Sequence, residues 1–289
     1  MSEHPEHPPS RLETPSHFDA TVALADEHEL VLAGRSDIGC RRANNEDAHG
    51  YFVDRAAPHR CLLVVCDGMG GASAGEVASA TALAAVRDHF LATAGDGNQR
   101  GDSSALLTAA IQRANHEIHE RSQRDFHLAG MGTTCTAALL DRLDLTIGHV
   151  GDSRAYVVRT GIITQLTRDH SLAEAMRRSG EGDEERTRNA RNILTRSLGN
   201  SAEVNVDIAR ELPTVQDGDV LVLCSDGLSN PVRTDEICAI VSEHEPGQAC
   251  RRLIELARER GGPDNITVIV ARVRRVGGRP DGGPPAHQT

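Results

Sequence analysis

The chain has 289 residues and a net charge of −11, and its 31 basic residues are all arginines, because the sequence contains no lysine. This length fits one large domain or two small ones. Without lysine, P-loop phosphate binding and Schiff-base chemistry are excluded. An acidic chain that lacks a basic tract also disfavours binding to nucleic acid or to an anionic membrane.

The two ends of the chain are polar and rich in proline, histidine or glycine. Residues 1–28 and 275–289 are therefore predicted to be disordered tails around one domain at residues 29–274. Removal of residues 1–28 is expected to leave that domain folded. The N-terminal stretch has no signal-peptide core, and no apolar run approaches the roughly 18 residues of a membrane helix. Seven cysteines without a Cys-x-x-Cys pair are typical of a reducing compartment. We expect a soluble, cytoplasmic protein.

The first half of the domain is predicted to contain strands and then helices. Short strands are expected at residues 30–39, 47–53 and 61–68, where apolar and β-branched residues cluster between turn residues. Two helices should follow, because apolar residues recur at helical spacing from Val77 to Phe90 and from Leu107 to Ile118.

Strands return in the second half, after which a helix is predicted at about residues 247–260. The predicted strands cover residues 133–140, 144–151, 154–159, 162–167, 203–209, 219–227 and 265–273. Strands that cluster in blocks disfavour a Rossmann or barrel plan. The runs at 61–66 and 220–224 are apolar at every position, so both of their faces should be covered. The prediction is an α+β fold, a four-layer α/β/β/α sandwich of two antiparallel sheets flanked by helices.

Acidic residues stand at the ends of predicted strands or in turns in five segments of the chain. They are Glu46, Asp47, Asp67, Asp152, Asp226 and Asp264. A buried, unpaired carboxylate costs several kcal/mol, so two apolar strands that end on Asp67 and Asp226 indicate a shared cation site. Glycine at Gly68 allows a backbone carbonyl to approach a ligand. Oxygen donors without a His–Cys cluster favour Mg²⁺ or Mn²⁺ over zinc.

Eight segments resemble, in order and spacing, the metal-dependent type 2C Ser/Thr protein phosphatases, and in detail the bacterial branch of that family. They are SDIGCRRANNEDA, VVCDGMGG, MGTTCTAALL, HVGDSRAY, LTRDHS, RNILTRSLG, LCSDGLSN and GGPDNITVIV, and they span about residues 31–272. The resemblance implies a two-sheet sandwich. It also implies hydrolysis of phosphoserine and phosphothreonine by direct attack of a water that bridges two Mn²⁺ or Mg²⁺ ions.

The resemblance also assigns roles to individual residues of this chain. Asp67 would bridge the two metal ions, with the Gly68 carbonyl on the first ion and Asp226 and Asp264 on the second. Asp47 and Glu46 would act at the metals directly or through water.

Three further assignments follow from the same resemblance. Asp152 and Asp226 match a pair that binds a third, weaker metal, with Asn192 as another candidate ligand. Arg42 matches the arginine that binds the substrate phosphate. Met69 stands where many eukaryotic members have a histidine proposed as general acid, so the proton donor to the leaving group is left unassigned.

Residues 170–198 are charged and carry few apolar anchors, so this segment is predicted to be among the least stable parts of the domain. In the resembling family it is a variable flap beside the cleft. Four of its arginines are predicted to contact protein substrates, the alternative being a solvated surface without a role: Arg177, Arg178, Arg186 and Arg188.

Two other functions compete with the phosphatase. A pseudophosphatase, retained as a regulatory binding module, would be expected to lack some ligands, whereas all are present here. An adaptor that acts through its tails would have only short polar segments to work with. An aspartyl-phosphate mechanism is disfavoured because Met69 stands where a second aspartate is needed. The expected partners are phosphorylated proteins, including a cognate Ser/Thr kinase or its targets, and the chain is expected to act as a monomer.

Overall fold

The computed structural model describes residues 16–25, 27–70, 74–93, 102–180, 183–209 and 214–276. In this part of the chain the strands are β1 (His17–Ala25), β2 (His28–Asp37), β3 (Asp47–Val53), β4 (Arg60–Met69), β5 (Gly132–Thr133), β6 (Cys135–Asp141), β7 (Asp144–Val150), β8 (Arg154–Arg159), β9 (Ile162–Gln165), β10 (Asp207–Ala209), β11 (Val220–Cys224) and β12 (Ile266–Arg275). The helices are α1 (Ala74–Ala92), α2 (Ser103–Arg124), α3 (Leu172–Ser179), α4 (Glu184–Asn189), α5 (Asp226–Ser229), α6 (Thr234–Glu243) and α7 (Pro246–Glu259).

The strands form two antiparallel sheets. The first sheet has the order β1-β2-β12-β11-β8-β9. The second has the order β10-β7-β6-β4-β3, with the short β5 paired to β4. Antiparallel neighbours joined by tight turns account for much of this order, since Arg142 and Thr160 adopt positive φ in the turns between β6 and β7 and between β8 and β9.

Strand β4 shows why the layers stack as they do. Its side chains alternate between two cores, because successive residues of a strand point to opposite faces. Leu62 and Val64 pack beneath α1 and α2, whereas Leu63 and Val65 pack between the two sheets. Strand β11 behaves in the same way, with one face between the sheets and the other beneath α6 and α7. The predicted four-layer α/β/β/α sandwich is therefore confirmed.

The predicted N-terminal tail is wrong over residues 17–25. This segment forms β1, which pairs with β2 from His17↔Arg35 to Ala25↔His28 and extends the first sheet at its edge. The physical reason is an alternation of apolar residues that ends on Val22 and Leu24, which are 6% and 1% exposed in the core between the sheets. Residues 1–15 and 277–289, the rest of the predicted tails, lie outside the described residues.

Two other elements differ from the predictions. Helix α6 was not predicted, although it buries Ile237 and Val241 against the first sheet. The strand predicted at 203–209 is limited to β10, at the edge of the second sheet. None of the helices in the described ranges has the length and apolar character needed to cross a membrane.

Candidate metal and phosphate site

The acidic residues converge where the two sheets meet. Asp47 and Asp67 are direct partners across β3 and β4 of the second sheet. Asp226 begins α5 shortly after β11, and Asp264 shortly precedes β12. Strands β11 and β12 both belong to the first sheet. Asp152 lies between β7 and β8, where the chain passes from the second sheet to the first. Both sheets therefore contribute carboxylates to one place.

A cavity of about 170 Å³ lies at this place, which we call the catalytic cavity. Its lining contains eight of the predicted site residues: Arg42, Glu46, Asp67, Gly68, Asp152, Asn192, Asp226 and Asp264. Met69, Gly70, Thr134 and Leu194 complete the lining. Asp47 lies behind the lining and is 8% exposed. The carboxylates surround the cavity but do not converge on one point. Among the described residues, no three His, Cys, Asp or Glu side chains are close enough together to hold a metal ion as they stand.

Asp47 carries the observation that tests whether a cation fits. Its Oδ2 accepts a hydrogen bond from Ser225 Oγ at 2.8 Å. Its Oδ1 is buried and has no hydrogen-bond partner among the described residues. A buried carboxylate oxygen without a donor is costly and rare. A cation at this edge of the catalytic cavity would give Asp47 Oδ1 the partner that it lacks, so the residues present fit a metal site.

The pKa values of the carboxyl groups give the same indication. Burial, followed by the charges of Asp47, Asp226 and Asp152, raises the pKa of Asp67 well above its usual value. Burial first, and the charge of Asp226 second, raise the pKa of Asp152 to about 8. Burial and the charge of Asp264 raise the pKa of Asp226 to about 6. Carboxylates that raise one another's pKa in this way need positive charge between them to be ionised together.

Gly68 is required by close backbone packing. A Cβ atom at this position would lie 2.2 Å from the carbonyl oxygen of Gly75 and 2.4 Å from that of Glu46. The Gly68 amide donates a hydrogen bond to the Glu46 carbonyl at 3.1 Å, which joins the end of β4 to the loop before β3. Only glycine allows three backbone segments to approach this closely beside Asp67.

Polar residues that were not predicted hold the acidic residues in place. The Asp67 amide donates to Thr134 Oγ1 at 2.9 Å, and Thr133 Oγ1 donates to the Asp67 carbonyl at 2.9 Å. The Asn265 side chain accepts from the Glu46 amide at 2.8 Å and donates to the carbonyl of Asn44 at 2.9 Å. Each belongs to a motif quoted above, so the motifs themselves could have indicated these supporting roles.

Arg42 lies at the rim of the catalytic cavity. Its Nη2 donates to Asp264 Oδ2 at 2.7 Å, and about half of its side chain is exposed. This hydrogen bond is the main cause that raises the pKa of Arg42 above its usual value. The guanidinium is therefore charged, accessible and directed at the predicted cation site, as a phosphate-binding arginine requires.

The predicted flap folds over one side of the site. Ser171 and Leu194 form an isolated β-bridge that closes the segment on itself. Asn192 lines the catalytic cavity, whereas Arg177 lines a neighbouring one. Arg178 and Arg186 are exposed and line neither cavity, and the side chain of Arg188 lies outside the described residues. The structure thus brings one of the four predicted arginines beside the site.

Comparison with known proteins identifies the family. The protein phosphatase 2C family matches residues 34–266 of this chain. Serine/threonine protein phosphatase PstP of Mycobacterium tuberculosis is 41% identical over 247 residues, covering 84% of this chain and 45% of the relative. Serine/threonine phosphatase stp of Listeria monocytogenes is 38% identical over 248 residues, covering 82% of this chain and 93% of the relative.

A solved structure supports the same relationship. The crystal structure of the PstP catalytic domain in complex with two manganese ions matches with a TM-score of 0.72 and 38% sequence identity. It covers 86% of this chain and 99% of that one. The present chain spans less than half the length of the full M. tuberculosis relative but nearly all of the Listeria one. This chain belongs to the protein phosphatase 2C family.

Proposed function

We propose that the protein is a metal-dependent phosphatase that removes phosphate from phosphoserine and phosphothreonine residues of proteins. The observation that carries the proposal is the buried Asp47 Oδ1 without a partner, beside a cavity ringed by carboxylates and closed by Arg42. A relative of similar length named as a Ser/Thr phosphatase, and a related catalytic domain with two manganese ions, support it.

Two divalent cations, Mn²⁺ or Mg²⁺, would be held by Asp67, the Gly68 carbonyl, Asp226 and Asp264, with Glu46 and Asp47 behind them. When bound, the ions supply positive charge and an activated water as the nucleophile. Asp152 and Asp226, with Asn192 across the catalytic cavity, are proposed to form the weaker third site. Asn265, Thr134 and the other supporting residues keep the carboxylates in position against their mutual repulsion.

Arg42 is proposed to orient the substrate phosphate. Its planar guanidinium can bind two phosphate oxygens at once, and in the structure one of its N–H groups, on Nη2, donates to Asp264 Oδ2. Met69 lines the catalytic cavity, and its thioether has no proton to give to the departing alkoxide. The proton for the leaving group therefore comes from another donor.

The cellular setting is part of the proposal. We infer that the protein acts in the bacterial cytoplasm, as a monomer, on phosphorylated proteins that include a cognate Ser/Thr kinase or its targets. Residues 29–274 together with β1 would form the catalytic domain. Arg177, Arg178, Arg186 and Arg188 are proposed to contact protein substrates, which their place on a charged, exposed flap supports.

Metal dependence tests the proposal. Release of phosphate from a phosphothreonine peptide should be absent in excess EDTA and restored by Mn²⁺ better than by Mg²⁺, without response to zinc or calcium. Oxygen donors disfavour zinc, and calcium is larger, takes more ligands and activates a bound water less. The Asp67→Asn variant, which keeps the side-chain shape, is the control and should remain inactive with Mn²⁺. Turnover in excess chelator would refute the metal mechanism. Binding of Mn²⁺ and phosphopeptide without turnover would favour the regulatory module.

A further inference from the structure

A second cavity of about 170 Å³ adjoins the catalytic cavity. We call it the flanking cavity. Asp152 and Asp226 line both cavities, so the wall between them is formed by these two side chains. The opposite wall of the flanking cavity comes from the flap, through Arg177 and Arg191. A substrate whose phosphorylated residue enters the catalytic cavity would therefore place a neighbouring residue at the flanking one.

The charges around the flanking cavity are mostly neutralised within the protein. Arg154 donates three hydrogen bonds to Asp169, from Nη2 at 2.6 Å and from Nε at 2.9 and 3.2 Å. Arg177 donates to Glu174 on the same helix. Asp152 and Asp226 face the cations that the catalytic cavity is proposed to hold, so their charge is offset from that side.

Arg191 is the exception. It is exposed, it lines the flanking cavity, and no hydrogen bond or ion pair involves it within the described ranges. A guanidinium that is not committed to another residue is free to bind an incoming anion. It lies in the turn after α4, and the cavity that it lines is the one between the flap and the two shared carboxylates.

Ser229 provides an independent observation in the lining of the flanking cavity. Its Oγ is shielded from solvent and has no hydrogen-bond partner among the described residues. A buried hydroxyl in this condition lacks a hydrogen-bond partner. Arg191 and Ser229 line the same cavity, so an uncommitted cation and an unmet polar group lie in its wall.

We propose that the flanking cavity binds an anionic side chain of the phosphoprotein substrate, a carboxylate or a second phosphate, and that Arg191 selects it. The inference rests on the phosphatase function proposed above and adds to it a preference for substrates with an anionic residue near the phosphorylated one. In an extended peptide, residues two apart project to the same side about 7 Å from each other. A phosphorylated residue and an anionic neighbour can therefore occupy the two adjoining cavities together.

Peptide kinetics with Mn²⁺ test the inference. Phosphothreonine peptides would carry alanine, glutamate, phosphoserine or arginine at successive positions on either side of the phosphorylated residue. The wild-type protein should show a kcat/KM about tenfold higher for an anionic neighbour than for alanine at the favoured position, as expected for one charge-assisted pair. Comparison of glutamate with phosphoserine distinguishes the two anions.

Variants of Arg191 distinguish a role in substrate selection from a role in the folding of the flap. In Arg191→Ala the ratio of kcat/KM for the anionic over the alanine peptide should fall to near one. In Arg191→Glu the preference should pass to the arginine peptide. Arg168→Ala is the matched control, because Arg168 is exposed and lines neither cavity, and it should keep the wild-type ratio. Melting temperatures would verify that each variant is folded.

Several outcomes would overturn the inference. Equal use of all peptides by an active wild-type protein, or a preference for the arginine peptide, would refute it and leave the phosphatase assignment standing. An equal loss by Arg191→Ala on every peptide and on a small aryl phosphate would show that Arg191 only supports the flap. A wild-type protein inactive on every substrate with Mn²⁺ would refute the proposed function, and this inference with it.

Discussion

At the scale of single residues, Asp264 faces two competing partners, Arg42 and the proposed cations. Its Oδ2 accepts a hydrogen bond from Arg42 at 2.7 Å, and the same carboxylate lines the cavity proposed to hold the cations. A carboxylate paired with a guanidinium offers less of its charge to a metal ion. Arg42 is therefore expected to weaken cation binding until a substrate phosphate draws it away. By linkage, phosphate and cation would then promote each other's binding.

The Arg42→Ala variant should separate these two effects. We expect kcat/KM for a phosphopeptide to fall by about 10–10²-fold, because a charge-assisted phosphate contact is lost. Calorimetric Mn²⁺ affinity should be retained or increased, since Asp264 is released. Arg41→Ala, an exposed neighbour that does not line the catalytic cavity, is the control. Weaker Mn²⁺ binding by Arg42→Ala together with wild-type catalysis at saturating metal would contradict the assignment.

The positions of the candidate site residues were largely predictable from sequence, because most of the acidic ones stand in short motifs at the ends of strands, and the family resemblance supplied their proposed roles. Asp67 and Asp226 follow apolar runs that are predicted to be buried strands. Their carboxylates are therefore expected at the ends of those strands, whichever fold the chain adopts. Arg191 and Ser229 were not predicted as a pair. Their proximity depends on how the flap folds back across the sheets, and no local pattern encodes that path.

At the scale of elements, β1 shows where composition misleads. Averaged over residues 1–28, proline, histidine and charge indicate disorder. Within that stretch Phe18, Ala20, Val22 and Leu24 alternate with more polar or smaller residues, which is the strand signal. The Phe18 ring lies 5.3 Å from that of His49, and a Cβ atom on Gly34 would come within 2.3 Å of Phe18. Strand β1 is therefore packed into the molecule.

A pair of substitutions in β1 measures how much this strand contributes to the free energy of unfolding. Leu24 is 1% exposed, so Leu24→Ala should lower the free energy of unfolding by about 2–5 kcal/mol. Thr21→Ala, on the exposed face of the same strand, should change it by less than about 0.5 kcal/mol. Chemical denaturation of both variants gives the two values. Equal and small effects would mean that β1 does not belong to the cooperative core.

At the scale of the whole molecule, the buried ionisable groups set how stability depends on pH. Without metal, burial raises the pKa of Asp47 to about 7 and that of Asp152 to about 8, from 3.8 in each case. Above pH 6.5 the folded state holds protons that the unfolded state has released, so the free energy of unfolding falls as pH rises. Burial lowers the pKa of His49 and His149 from 6.5 to about 4, which opposes the trend only below pH 6.5.

Thermal unfolding in EDTA should therefore show a Tm that falls between about pH 6.5 and 8. With Mn²⁺ the fall should disappear or reverse, because the cation binds the ionised carboxylates and binds more tightly as they lose their protons. Asp47→Asn removes one of the responsible groups and should flatten the curve in EDTA. A Tm that rises through this window without metal would show that these carboxylates are ionised in the folded protein.

The position of β12 has a consequence for the newly made chain. Although it is the last strand in the part of the chain that the structure describes, it lies inside the first sheet, between β2 and β11, shortly after Asp264. During synthesis, the pair β1-β2 and the set β11-β8-β9 cannot be joined into one sheet until β12 has left the ribosome. A partly synthesised chain has Asp67 from the second sheet but not the complete set of groups around it. A ribosome-bound fragment that lacks β12 should therefore be inactive, and the proposed dephosphorylation should begin only after translation has supplied the last strand of the described domain.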